Sequence, residues 1–363
     1  MRKAFFTLLS TFFIIIFISS CDSLDSNGDD INSDIPQDPG GNLPQTTINN
    51  LRPSGIFERT ANNERRIRIS LIGLIDPVTA QPIELVGNST VFVAENDVIK
   101  GLKVTKVGND NTLASDLVFV VDNSGSMGQE ADSIALKIID FTNLLTSQGI
   151  NLRVGCVGYS GNVTGAINLT NATGLESYLK RPSRTGTSRT VGFTGTDSAR
   201  FQTTASTFSS GVGGENGIVG IRFADSLFSW RTGAQRIYIN FTDEPTQPGS
   251  RPWFSTNGFL QSWQLNRGTI HTVWSNGDTT LFGTESASRE KPWRLSNGTG
   301  GTIKWVSSNA NGLNLTTLPV TGAVLNSYLI EFISTNPNDS NTVKIIVKNG
   351  TTSDGQSVFR VKY

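Results

Sequence analysis

The stretch DLVFVVDNSGSMG, Asp116 to Gly128, constrains this chain more than any other. Its apolar run, Leu117 to Val121, does not alternate with polar residues, so the strand it predicts must be covered on both faces. That is the condition of a parallel sheet held between two layers of helices. The run ends in Asp122, followed by two serines spaced one apart, Ser124 and Ser126. Oxygen atoms gathered at the tip of a buried strand can cap a helix, act as a nucleophile, or ligate a hard cation. In open α/β sheets ligands bind beyond the carboxyl ends of the strands, which is where Asp122 falls.

The following text supports such a sheet. ADSIALKIIDFTNLLTSQG places Ile134, Ile138, Phe141 and Leu145 at helical spacing and stops at Gly149. The strand NLRVGCVGYS, the edge-like AINLT and the helical piece LESYLK come next. After a Thr/Ser/Gly-rich loop there is a helix around NGIVGIRFADSLFSW, then the strands RIYINFTDE, GTIHTVW and GTIKWVS. Strands alternating with helices predict an α/β fold with a mostly parallel sheet. On either side the pattern changes to period two, in RRIRISLIGLID and QPIELVGNSTVFVAENDVIKGLKVTKV before it and SYLIEFIS, NTVKIIVKNG and QSVFRVKY after it. These predict a sandwich-like antiparallel module formed by both ends, with the α/β unit inserted.

The amino terminus, MRKAFFTLLSTFFIIIFISSC, has two basic residues, an uncharged apolar stretch and small residues before Cys21, the form of a secretory signal. Its last residues, ISSC, resemble the bacterial lipobox, which implies lipidation at Cys21. The only other cysteine, Cys156, lies in an apolar run, so no disulfide framework is expected. Polar, Pro- and Gly-containing sequence then runs to about Arg52 and reads as a tether too poor in apolar residues to order itself. The expected division is a signal peptide over 1–21, a disordered tether over 22–54, the first half of the β-rich module over 55–112, the α/β domain over 113–308 and the second half over 309–363. Lys plus Arg equals Asp plus Glu at 30 each, and no basic block stands out, so a nucleic-acid partner is not indicated.

The three readings of the opening stretch do not fit equally. Capping accounts for one oxygen-bearing residue and not for three at alternate positions. A serine nucleophile would need Ser126, Asp243 and His271 to assemble, but the G-x-S-x-G elbow is not met and His271 lies inside an apolar strand. The cation reading explains more. Asp122, Ser124 and Ser126 spell D-x-S-x-S, and the segment resembles the metal-ion-dependent adhesion site of von Willebrand factor A domains. The likeness extends from about Ala114 to Ser307: NLRVGCVGYS resembles the family's second strand, RIYINFTDE its fourth strand ending in the motif aspartate, and NGTGGTIKWV its last strand.

The resemblance implies a doubly wound sheet and a metal set of Asp122, Ser124, Ser126, Glu215 and Asp243. Asp243 matches the family's third-loop aspartate, which usually reaches the ion through water. Most members place a threonine in the second loop. Here that loop reads SSGVGGENGIVGI, which resembles members, including integrin β subunits, with an acid just before the helix, hence Glu215. Thr203, Thr204 and Thr207 are the alternatives. Gln129 and Glu130 stand where integrin β subunits carry a pair of acids for an adjacent Ca²⁺, so a second ion is not expected. The implied cofactor is Mg²⁺, or else Ca²⁺ or Mn²⁺, and the implied partner is a protein offering an Asp or Glu carboxylate to the ion. The expected role is non-enzymatic adhesion by a lipid-anchored protein of the bacterial envelope, at the outer membrane or cell surface rather than the inner membrane. A structural scaffold is the alternative. Trp253, Phe254, Phe259 and Trp263 either form an aromatic rim near the ion or cover a helix face.

Overall fold

The computed structural model describes residues 32–107, 113–128, 130–180, 193–276, 285–308, 310 and 313–363. Cys21, the signal sequence and Gln129 lie outside the described residues. The first strands are β1 (Gly55–Thr60), β2 (Asn63–Leu71), β3 (Val91–Glu95), β4 (Val98–Ile99) and β5 (Lys103–Lys106). Strands and helices then alternate: β6 (Ala114–Asp122), α1 (Glu130–Ser147), β7 (Asn151–Tyr159), β8 (Val163–Thr170), α2 (Ala172–Leu179), β9 (Gly195–Thr196), α3 (Ala199–Phe208) and α4 (Gly217–Leu227). They continue through β10 (Gln235–Thr242), α5 (Thr256–Ser262), β11 (Thr269–Trp274), α6 (Arg294–Thr299), β12 (Ile303–Trp305) and α7 (Pro319–Leu325). The chain returns to strands in β13 (Tyr328–Ile333), β14 (Ser340–Asn349) and β15 (Ser353–Lys362).

The apolar run of β6 occupies the centre of a seven-stranded sheet ordered β12-β11-β10-β6-β7-β8-β9. It runs parallel to both neighbours, β7 and β10, while β8 is antiparallel to β7. Alternate β6 side chains enter different cores. Leu117, Phe119 and Val121 pack with Ile134, Ile138 and Phe141 of α1 and Val320 and Val324 of α7. Val118 and Val120 pack with Ile218 and Ile221 of α4, together with Phe259 and Leu295. Each such buried side chain contributes about 1.5–3 kcal/mol relative to exposure, which is why the strand needs no polar face. Helix α4 approaches the sheet closely because it has no side chain at the contact: a Cβ on Gly217 would lie 2.4 Å from Asn240 Oδ1, and one on Gly220 2.6 Å from Val120.

Two antiparallel sheets, β1-β2-β13-β5 and β15-β14-β3-β4, share one core. Ile67, Ile69, Val91, Val93, Ile330, Phe332, Ile345 and Phe359 meet in it. Strands from before and after the α/β unit therefore build one sandwich, because neither half alone covers an apolar face. The fold class is the one the patterns predict.

Two expected boundaries require correction. The tether read over 22–54 does not reach residue 54: the described residues from 32 onward are fastened along the sandwich. Asp34 pairs with Arg66 at 2.8 Å and Lys103 at 2.6 Å, and Asp38 pairs with the buried Lys100 at 2.6 Å. Asp354 accepts hydrogen bonds from the backbone amides of Thr47, Ile48 and Asn49. Ile35 and Leu51 are buried. This segment orders through ion pairs and backbone hydrogen bonds rather than apolar mass. The second correction concerns residue 309, where the sandwich was expected to resume. Leu313, Leu315 and Leu318 and helix α7 still pack on the α1 side of the seven-stranded sheet, and the sandwich resumes at β13.

The Lys100 ammonium lies beneath the fastened segment with Asp38 as its carboxylate partner. Asp38→Ala is therefore expected to lower unfolding stability by about 2 kcal/mol, since it strands a buried charge. The loss should appear as a lower urea midpoint at unchanged m. Adding Lys100→Met should restore most of it, because the stranded charge is then gone.

Candidate metal centre

The carboxyl end of β6 is shaped by its register. Asp122 lies opposite Tyr159 of β7, and Asn123 N donates to Tyr159 O at 2.6 Å, the last bond before the chain leaves the sheet. The Asn123 side chain donates to Thr164 and Thr194 hydroxyls at 3.0 Å each, fixing the turn to the β8 side. Ser124 to Gly128 then folds back into α1, with Gly128 at φ 29. On the other side β10 aligns Phe241 with Val121, which delivers Thr242 and Asp243 to the same edge of the sheet.

The side chains form a connected set. Asp122 is fully buried; its Oδ1 accepts from Ser124 N at 2.9 Å, and Thr242 Oγ1 reaches its Oδ2 at 3.2 Å. Ser124 Oγ and Ser126 Oγ are 2.8 Å apart, and Ser126 Oγ donates to Asp243 Oδ1 at 3.2 Å. Asp122 and Ser124 are buried and Ser126 is exposed, so the set runs from the interior to the surface.

Glu215 stands just before α4, whose cap Asn216 accepts from Ile218 N at 3.0 Å. Its carboxylate is bonded to Gln247 Nε2 at 3.0 Å, and its carbonyl accepts from Gln247 N at 3.0 Å. Glu215 thus belongs to the rim, tied to the loop after β10, while Asp122, Ser124, Ser126 and Asp243 are joined directly. The alternatives face elsewhere: the Thr203, Thr204 and Thr207 hydroxyls donate to carbonyls of Ala199, Arg200 and Thr204 within α3.

The electrostatics are those of crowded acids. Burial first, and then the charges of Asp243 and Glu215, push the Asp122 carboxyl up to about 7 against the opposing Ser124 hydrogen bonds. Glu130, at the start of α1, is pushed up to about 8, first by burial and then by Asp243, with Asp122 adding to it. Glu244 is raised by burial and by the same neighbours. Among the described residues no lysine or arginine forms a salt bridge with Asp122, Glu215 or Glu130, and Glu130 Oε1 is buried without a hydrogen-bond partner.

These donors fit a hard divalent cation. Such an ion takes oxygen ligands, tolerates neutral hydroxyls and keeps waters, and its charge would offset the burial and the repulsion that together raise Asp122. Among the described residues no group of three or more His, Cys, Asp and Glu side chains could hold a metal alone, so a site here would draw on hydroxyl oxygens such as those of Ser124 and Ser126.

Among the described residues His271 forms no hydrogen bond with Ser126. His271 lies within β11, buried, with burial lowering its imidazole to about 3. Its Nδ1 accepts from Thr302 N at 3.1 Å, so the ring is engaged with the loop before β12 rather than with Ser126. The aromatic residues divide: Phe254, Phe259 and Trp263 are buried on the α4 face, whereas Trp253 is exposed with the Arg222 guanidinium 3.6 Å from its ring centroid.

Two contributors escaped the sequence reading. Glu130 read as an inadequate outer ligand, yet it is buried with Ser275 Oγ 3.5 Å away. Its place four residues before Ile134, on the same face of the helix, was the available signal. Gln247, which holds Glu215, offered none, since a glutamine four residues past a motif aspartate is unremarkable.

Residues 116–247 match the model of the von Willebrand factor type A domain. No curated protein matches the chain. Among solved structures the chain is similar to the pilus adhesin SpaC from Lactobacillus rhamnosus GG in its open conformation, at 11% identity and a TM-score of 0.39. The match covers 85% of this chain and 47% of the adhesin, so the chain spans about half that protein's length. With D-x-S-x-S at the tip of its central strand and Asp243 at the tip of the next, the unit matched over residues 116–247 is a von Willebrand factor type A domain.

Proposed function

We propose that this protein binds a partner protein through a divalent cation, with Mg²⁺ first and Ca²⁺ or Mn²⁺ as alternatives, held at the tip of β6. Asp122, Ser124 and Ser126 would hold the ion, Asp243 would act through its bond to Ser126 or through water, and Glu215 would line the rim. The ion supplies a positive centre for an Asp or Glu carboxylate of the partner. Asp122 contributes charge from a buried position, while the serines contribute oxygens without charge, which keeps the centre electrophilic. Ser126 is the exposed member of the set, on the side from which a partner arrives. One observation carries the reading: Asp122, Ser124, Ser126 and Asp243 are joined by hydrogen bonds at one strand tip, running from the buried Asp122 to the exposed Ser126. Lipidation at Cys21 would hold the chain at the bacterial envelope, at the outer membrane or cell surface.

The scaffold reading draws on a different observation, the bond from Thr242 to Asp122 that joins the tips of β10 and β6. Cross-linking on intact cells, with wild type and Asp122→Ala compared in the presence and absence of EDTA, separates the two. Adhesion requires that both EDTA and Asp122→Ala abolish the cross-links. If cross-links persist while only the melting temperature falls, the ion is structural. A serine-directed covalent probe is expected to leave Ser126 unlabelled.

The Asp122 shift also sets a pH dependence. Its folded pKa lies above the unfolded value, so the stabilisation by its proton is full below about 4 and is lost as pH rises through about 7. A cation must displace that proton. Mg²⁺ affinity measured by titration calorimetry is therefore expected to be about tenfold weaker near pH 6 than near pH 8, and equal affinity at both would contradict the assignment.

A further inference from the structure

A cavity of about 330 Å³ opens between the base of the α/β domain and the sandwich. Arg231, Arg236, Arg267, Arg360 and Lys362 line it, and none of the described lining residues is acidic. The whole chain has no net charge, so this is a local segregation of positive charge.

The cations differ in how far they are already engaged. Arg231 is fully used by Asp116 at 2.7 Å, Asn151 and the Ser115 carbonyl. Arg236 and Arg267 share a single carboxylate, Asp225, at 3.9 and 2.8 Å. The Arg236 Nε is buried without an acceptor, and its guanidinium carbon lies 5.0 Å from the Trp230 ring centroid, which fixes its direction. Glu58 adjoins the cavity at Gly233 but faces Arg68 at 3.6 Å. Arg360 and Lys362 are exposed on β15, lie opposite the uncharged Thr342 and Ser340, and form no salt bridge among the described residues. Two arginines sharing one acid, plus two unengaged cations, leave charge and donors for an anion.

From this we infer that the cavity is a binding site for a phosphate ester, held by Arg236, Arg267, Arg360 and Lys362. Arginine forks match phosphate oxygens in pairs, and lysine adds a point charge. The cavity lies at the amino ends of the strands: β10 begins at Gln235 beside it and ends at Thr242, about 23 Å away at ~3.3 Å per residue. It is therefore separate from the Asp122 centre, and its occupation does not depend on the cation reading. The ester can come from a phospholipid headgroup or from a soluble phosphorylated molecule.

Titration calorimetry on the full chain tests this with two probes, glycerol 3-phosphate and dihexanoyl-phosphatidylglycerol below its micelle concentration. Binding of either supports the site; preference for the lipid assigns a headgroup, and preference for glycerol 3-phosphate assigns a soluble ester. Arg360→Gln combined with Lys362→Gln changes exposed side chains and should weaken binding roughly tenfold or more at unchanged melting temperature. The inference is overturned if neither probe binds, or if the double variant binds like wild type. It is equally overturned if Lys137→Gln combined with Lys180→Gln, removing the same charge from distant helices, weakens binding as much.

Discussion

The structure depends on burying a carboxylate at the end of its central strand. Asp122 is as inaccessible as the valines before it, and an isolated charge there would cost several kcal/mol. The fold responds with donors from two strand tips, the Ser124 amide after β6 and the Thr242 hydroxyl at the end of β10, and the serine pair beside them carries the network on to Asp243. Those donors exist because β6 is flanked by parallel strands on both sides, so that three strand tips and their loops converge. A strand at the sheet edge could not gather them. Like-charged neighbours keep the arrangement short of full satisfaction, and that residual demand for positive charge is the chemical property on which a cation site rests.

The sandwich solves a different problem. Its core is divided between chain segments more than two hundred residues apart, and β2 pairs directly with β13. The inserted α/β unit closes a very long loop, and bonds such as Gly73 N to Ala323 O stitch the two bodies together. Residues 32–54 add a third component, clamped by Asp354, Lys100, Arg66 and Lys103.

Local pattern made some elements legible and left others hidden. The apolar run of β6 and the spacing of Ile134, Ile138, Phe141 and Leu145 in α1 report two-sided and one-sided burial directly, and both appear where they were read. Helix α7 escaped because LTTLPVTGAVLN is short and Pro- and Gly-bearing, and only contact with α1 makes it part of that core. The 32–54 segment escaped for the opposite reason. Its acids read as solvated, and nothing local shows that Asp34, Asp38 and Asp354 meet partners tens to hundreds of residues away. Trp263 and Phe259 read as rim or, more readily, as core, and both lie in the α4 layer with their rings stacked at 4.6 Å.

The sequence by itself determined the α/β class and the insertion of that unit in a sandwich, and it singled out Asp122, Ser124, Ser126 and Asp243 as candidate ligands, because periodicity and a five-residue motif are local quantities. Tertiary structure alone decided that Glu215 is bonded to Gln247, that Glu130 is buried, that the amino-terminal segment is clamped and that five cations line one cavity. Each of these depends on which distant side chain arrives opposite. Sheet register and long-range ion pairing set that, and neither leaves a trace in local composition.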